Sequence, residues 1–393
     1  MKSICLINVF FGDFPWYFNF FLKSCSTNST IEFLIFTDQV KPKNSPENVK
    51  FIHFSLEEFN HLASKKLNLE INIQYAYKLC DFKPAYGIIF SDYLKNSEYW
   101  GITDIDIIFG RIREFITDEM LSNHEVISVR NDYPTGSFMI FENIEKVNNL
   151  FKKSKDYTKV FTSQKHYCFD ECNFHHQYLE NGGSIFDIET EIESIHHILV
   201  KEMQENNLQV HFDFLIIEGL PGKLYWDNGL LSFKNEFEVL HYHLILYKGN
   251  QFTQKKEWND IPSQFYIDKY LIRKKGIFSM LDYLYNENIR IWFKKTAILI
   301  EYYLSVRLSK FRLKNIDNSV FVNGNYKRFI IKNESSDNFL SFQLDYPSYI
   351  LYKSIFKNNN IFLKKNKNVH YKIINNTLIE ITKDGSTFKL DKE

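Results

Sequence analysis

Two aspartates one residue apart, Asp104 and Asp106, sit in the run Tyr99-Trp100-Gly101-Ile102-Thr103-Asp104-Ile105-Asp106-Ile107-Ile108-Phe109-Gly110. Their flanks are apolar, so the run reads as a buried strand ending at a turn glycine. Alternation along such a strand puts both carboxylates on one face. Adjacent acids at the end of a buried strand repel each other and resist desolvation. A hard divalent cation, Mn2+ or Mg2+, relieves both penalties because it prefers oxygen ligands. An Asp-x-Asp also arises by chance on exposed turns, but such a turn has no need of the surrounding isoleucines. The pattern therefore points to a metal able to carry the phosphates of a substrate.

Other residues could work beside this pair. In Asp81-Phe82-Lys83-Pro84, the proline suits a first helical position and predicts a helix over 84–94. Asp81 and Lys83 would then stand beside free backbone N–H groups, a natural place for phosphate, or form an ordinary cap and a surface lysine. His241 and His243 share one face of a strand predicted within 236–248, where either could be a third metal ligand or a satisfied core histidine. Cys168, Cys172 and His175 or His176 are helix-spaced and could hold zinc, although Cys-x3-Cys is not a usual zinc spacing and no second cysteine pair follows. Between these cysteines, Asp170 and Glu171 form an acidic pair of the kind a helix amino end favours.

The elements that must position these groups alternate. Residues 3–11 read as a buried strand, broken by Gly12-Asp13-Phe14-Pro15, and 16–25 have helical spacing. Residues 31–37 form a second buried strand ending at Asp38, and 49–54 a third. Strand, helix, strand with short connections opens a doubly wound parallel sheet. Ligands bind such sheets at the carboxyl ends of the strands, which places Gly12, Asp13, Thr37 and Asp38 at the mouth of a site. A helix over 56–70, strands over 125–130 and 136–141, and a helix over 144–153 continue the α/β pattern. Basic and aromatic residues intermingle from about 264, as in amphipathic helices, and short alternating strands follow from 318. The predicted organisation is a catalytic α/β domain over 1–263, a basic helical segment over 264–317 and a small β-rich domain over 318–393.

The 393 residues carry 48 basic and 48 acidic side chains, so no global charge favours nucleic acid. Five scattered cysteines fit reduced thiols and a cytoplasmic location. The chain shows neither a signal peptide nor a run of apolar residues long enough to cross a membrane.

Taken in order, Phe10-Phe11-Gly12, Phe36-Thr37-Asp38, the stretch 77–87, the Asp104/Asp106 run, Gly136-Ser137-Phe138-Met139-Ile140-Phe141, Phe169-Asp170-Glu171 and Tyr242-His243 resemble a known family. They look like bacterial GT-A glycosyltransferases of surface-polysaccharide gene clusters, those of capsule and O-antigen or lipopolysaccharide, over about residues 1–250. The resemblance implies a Rossmann-like nucleotide-diphospho-sugar transferase fold. It implies transfer of a sugar from a nucleotide-sugar, a UDP-sugar by expectation, to a glycan or lipid-linked glycan hydroxyl. Asp104, Asp106 and His243 would hold Mn2+ or Mg2+, with Asp106 a direct ligand and Asp104 shared with the ribose. Phe10, Phe11, Gly12, Asp38, Asp81, Lys83, Gly136 and Ser137 would line the donor pocket. Asp170 or Glu171 would be the general base of an inverting enzyme, or an acceptor-binding acid in a retaining one. The basic aromatic segment would rest on the anionic inner face of the plasma membrane, or pack on the catalytic domain.

Two readings of other classes stand beside this one. A nucleotidyltransferase or phosphotransferase would use the same carboxylates, but needs a Gly-rich cationic loop after the first strand, which Gly12-Asp13-Phe14-Pro15 does not supply. A non-catalytic carbohydrate-binding protein would fit the 17% aromatic content and the β-rich tail, but gives no role to Asp104, Asp106, Lys83 and His243.

Overall fold

The structure is a computed structural model that describes residues 1–213, 216–297 and 300, and the backbone of strands within 320–391. It divides into two units, Met1–Arg290 and Ile291–Glu393. The first unit is α/β, as the sequence predicts. Its strands are β1 (Ile4–Val9), β2 (Ile31–Thr37), β3 (Val49–His53), β4 (Tyr99–Thr103), β5 (Ile107–Phe109), β6 (Val126–Ser128), β7 (Phe138–Glu142), β8 (Val210–Phe212), β9 (Ile216–Ile217), β10 (Leu224–Asp227), β11 (Leu230–Phe233), β12 (Phe237–Glu238), β13 (His241–His243), β14 (Gln264–Ile267) and β15 (Ile272–Lys274).

The main sheet has the order β3-β2-β1-β4-β7-β6-β8. β1 to β4 run parallel, and β7 is antiparallel to both β4 and β6. The apolar runs of β1 and β2 form strands because both sheet faces are covered. Ile4, Leu6, Phe33 and Ile35 enter one core cluster, while Cys5, Ile7, Leu34 and Phe36 enter the other. The carboxyl ends of β1, β2 and β4 therefore open on one edge, at Phe10–Gly12, Asp38 and Asp104.

The Asp104/Asp106 run is not one strand. β4 ends at Thr103, and β5 leaves the main sheet to pair with β13 in a small sheet ordered β5-β13-β9. The aspartates occupy the junction between the two sheets. Residues 84–94 also depart from expectation. A 3-10 stretch covers Ala76–Ala85, with Pro84 inside it, and a short helix follows at Tyr86–Ile89. No helix amino end therefore forms at Lys83.

Residues 264–274, expected to begin a basic helical segment, form β14 and β15 in an antiparallel sheet ordered β12-β11-β10-β14-β15. Alternation decides it. Phe265 and Ile267 are fully buried and Phe265 stacks on Trp226 at 5.0 Å, while Gln264 and Tyr266 face outward. Helix begins only at Ile277. No described helix is long and apolar enough to cross a membrane.

In the second unit, Val320–Phe321, Arg328–Lys332 and Phe339–Gln343 form one antiparallel sheet. Val369–Ile374, Leu378–Lys383 and Ser386–Asp391 form another. The helical reading of 301–317 lies outside the described residues.

Candidate active site

The β4–β5 junction is pinned on both sides. Asp104 N–H donates to the Ser137 carbonyl at 3.0 Å, and the Asp106 carbonyl accepts from Leu244 N–H at 2.8 Å. These bonds bring β7 and the end of β13 to the aspartates. Ligand atoms of Asp104, Asp106 and His243 then lie within 4.8 Å of one another. His243 Nε2 is 3.3 Å from Asp106 Oδ2, and Nδ1 is 2.7 Å from Glu218 Oε1. A carboxylate on the far nitrogen orients the ring and would keep the proton there when a cation takes the place of the proton on the near one. The donor set of two carboxylates and one imidazole fits a hard or borderline divalent cation.

Burial opposes the charges on both Asp106 and His243, yet each is held ionised by the other. His243 and Lys248 keep the Asp106 carboxyl well below its ordinary range. Asp106 and Glu218 push the His243 imidazole up to about 10. Lys248, on the short helix Ile245–Gly249, places Nζ 2.6 Å from Asp106 Oδ2. A half-exposed ammonium thus neutralises a buried carboxylate of the ligand group.

A second lysine approaches from the opposite side. Lys83 Nζ is 2.7 Å from Asp104 Oδ1, 2.7 Å from the Gly136 carbonyl and 3.8 Å from Asp170 Oδ2. Burial works against its charge, but Asp104, Cys80 and Asp170 outweigh that and hold its pKa above the ordinary value. Asp170 is buried under Gly136 so closely that a Cβ there would meet Asp170 Oδ2 at 2.1 Å. Burial keeps the Asp170 carboxyl well above its ordinary value against the pull of Lys83. Glu171 turns elsewhere: Oε1 accepts from Gly136 N–H at 2.8 Å and Oε2 lies 2.7 Å from His176 Nε2.

The remaining expected residues divide. Phe10, Phe11 and Gly12 are half-buried at the end of β1, and Gly12 N–H donates to Asp38 Oδ1 at 2.9 Å. Gly12 takes φ +96°, a left-handed turn that favours glycine. Ser137 is buried, with its hydroxyl on Thr135 at 2.7 Å. Asp81 is not part of this group. It is fully buried on Lys78 at 2.7 Å and accepts Tyr167 N–H at 2.9 Å and Phe169 N–H at 2.8 Å. His241 packs against Phe109 and Phe138, away from the ligand group, and burial holds it neutral. Of the zinc-type residues, Cys172 falls in a separate apolar cluster with Tyr133, Leu179 and Ile185.

Sequence reasoning missed Glu218 and Lys248. Glu218 has no local signature. Lys248 lies five residues past His243, on the short helix that follows its strand, and that nearness in sequence was its only signal. Glu218 also takes Arg130 at 2.7 Å, which ties the histidine support to the loop after β6.

The profile of a family described as "Family of unknown function (DUF6625)" matches residues 6–278. No curated protein matches the chain. Among solved structures, the chain is similar to galactosyltransferase LgtC in complex with donor and acceptor sugar analogs, at 12% identity and TM-score 0.25, over 46% of this chain and 70% of that one. It is similar to mouse xyloside xylosyltransferase 1 at 9% identity and TM-score 0.35, over 62% of this chain and 97% of that one. It is similar to the glycosyltransferase GlyE of Streptococcus pneumoniae TIGR4 at 11% identity and TM-score 0.27, over 53% of this chain, and spans 45% of that structure's length.

Proposed function

The chain belongs to the DUF6625 family, a family of unknown function, and we propose that it is a metal-dependent glycosyltransferase of GT-A type. The observation that carries this reading is the convergence of Asp104, Asp106 and His243, flanked by Lys83 and Lys248, at the carboxyl edge of parallel strands. A Mn2+ or Mg2+ ion held by the three ligands would stabilise the negative charge that grows on a leaving nucleoside diphosphate. Lys248 can exchange Asp106 for a phosphate oxygen without crossing the site, because its side chain is 37% exposed. Lys83 neutralises charge from the other side and holds Asp104 in place. Phe10, Phe11, Gly12 and Asp38, at the ends of β1 and β2, shape the nucleoside end of the donor pocket. The donor is a nucleotide-sugar, a UDP-sugar in this reading, and the acceptor a glycan or lipid-linked glycan of a surface polysaccharide.

Of the two acids expected on the acceptor side, Asp170 is the one aimed at the donor carboxylates, through Lys83. It is assigned to the acceptor hydroxyl, and Glu171 positions the loop that carries it. Exposed Leu281, Leu284, Tyr285 and Ile289 follow the basic run Arg273–Lys275, a composition suited to an anionic lipid surface. Salt-sensitive binding of the full chain to phosphatidylserine vesicles tests that contact, and no binding at low salt removes it.

A thermal-shift screen of nucleotide-sugars with and without Mn2+ tests the enzyme. A donor should raise the melting temperature only when metal is present, and Asp106→Ala should abolish the shift. A folded Asp106→Ala variant with undiminished transfer overturns the metal role.

A further inference from the structure

A second group of ligand atoms lies outside the donor carboxylates. Cys168 Sγ, Glu171 Oε2 and His176 Nε2 all fall within 4.8 Å of one another. The separations are 3.3 Å from sulfur to carboxylate, 3.7 Å from sulfur to imidazole and 2.7 Å from carboxylate to imidazole. Around a tetrahedral Zn2+ with these ligand types, the ligand atoms stand roughly 3.3–3.6 Å apart. The sulfur–carboxylate separation falls in that range and the sulfur–imidazole separation exceeds it by about 0.1 Å. The third opens once the Glu171–His176 hydrogen bond is replaced by a bond from each residue to the ion.

The backbone is built around this arrangement. Cys168 sits at φ +54°, and Asn173 and Phe174 at φ 51° and 67°, conformations that cost a non-glycine residue energy. Asp81 holds the turn from both sides, accepting the N–H of Tyr167 and of Phe169 on its two oxygens. Asn173 closes it, with its N–H on the Cys168 carbonyl at 3.0 Å and its amide on the Tyr167 carbonyl at 2.8 Å. The His176 ring is packed edge-on against Tyr133 at 5.0 Å. The sulfur is buried, while Glu171 and His176 are part-exposed, so solvent meets the group on its carboxylate and imidazole side.

We propose that Cys168, Glu171 and His176 form a three-ligand site for a soft or borderline divalent cation, Zn2+. Its sulfur and imidazole donors set it apart from the Asp104/Asp106/His243 group, whose carboxylates suit Mn2+ or Mg2+. Burial and the Glu171 carboxylate push the Cys168 thiol up, and a cation removes that cost by replacing the proton on sulfur. The site touches the donor region through one residue: Glu171 holds Gly136 N–H, and the Gly136 carbonyl holds Lys83. A bound ion would therefore fix the loop that carries Asp170. The proposal does not depend on the transferase reading.

The test uses the full chain, stripped with chelator and reloaded. One equivalent of Zn2+ should bind per Asp106→Ala chain by elemental analysis. Co2+ should give the near-ultraviolet charge-transfer band of a thiolate–cobalt bond in the wild-type protein, a readout that needs no variant. Cys168→Ser and His176→Ala should each weaken Zn2+ binding by about tenfold or more, while Cys172→Ser and Asp106→Ala retain it. Absence of the Co2+ band, or Zn2+ affinity unchanged in folded Cys168→Ser, overturns the proposal.

Discussion

Lys83 Nζ lies 2.7 Å from Asp104 Oδ1, 2.7 Å from the Gly136 carbonyl and 3.8 Å from Asp170 Oδ2. One ammonium therefore joins a carboxylate of the candidate ligand group to the acid proposed for the acceptor. Replacing it with Lys83→Met leaves Asp104 without this counterion. Breaking one partner of a buried pair costs about 3–5 kcal/mol, and Asp104 is 32% exposed, so the low end applies. The variant should melt several degrees lower and lose stabilisation by donor plus metal. Undiminished donor stabilisation in a folded Lys83→Met protein would detach this lysine from the site.

Glu218 stands to His243 as a support stands to a ligand, with its carboxylate 2.7 Å from the nitrogen that points away from Asp106. Glu218→Ala frees the imidazole to rotate and leaves Arg130 with fewer carboxylates. Loss of such a partner weakens metal affinity by about 10–100-fold. Calorimetric titration of Mn2+ in the presence of UDP measures it. Glu218→Gln, which keeps an acceptor oxygen, should recover part of the loss.

Gly136 is a glycine because Asp170 occupies the space a Cβ needs. Gly136→Ala should displace the Asp170 carboxyl or the backbone that holds Lys83 and Glu171, lowering both stability and turnover. Overpacking of this kind costs about 1–3 kcal/mol. The double variant Gly136→Ala with Asp170→Gly removes the clash. Its melting temperature should rise above that of Gly136→Ala, while transfer stays lost if Asp170 serves the acceptor. Restored transfer in the double variant would deny Asp170 that role.

These contacts mark where the sequence stops being legible. Apolar runs over 4–9 and 31–37 announce strands covered on both faces, and the Asp-x-Asp announces two acids set at the end of a buried strand. The junction does not show, because β5 leaves the main sheet only through its pairing with β13, far along the chain. Asp81 reads as a site residue by its place next to Lys83, yet its oxygens are taken by N–H groups 86 and 88 residues away. Lys248 reads as a surface charge until folding brings it to an aspartate 142 residues away. β14 is hidden because four alternating residues are too short a signal against the basic residues around them.

Stability should also fall with acid at a point remote from the site. The helix Ile195–Gln204 starts with Ser194, whose N–H donates to His197 Nδ1 at 3.0 Å, with the Ser194 hydroxyl also at 3.0 Å. Nδ1 must be unprotonated to accept these bonds. Burial is the main cause that lowers the His197 pKa below its ordinary 6.5; Lys155 and His175 add to it, while Glu193 and Asp156 oppose it. The unfolded chain therefore binds the proton first as pH falls. The stability this histidine contributes is complete above pH 6.5 and is lost as pH drops from there toward the folded value. A cap of this kind is worth about 1 kcal/mol. Gln at the third helical position can accept the same N–H without titrating. His197→Gln should thus melt with a shallower dependence on pH between neutrality and mild acid than the wild-type chain. Equal slopes for the two proteins would show that the cap survives protonation.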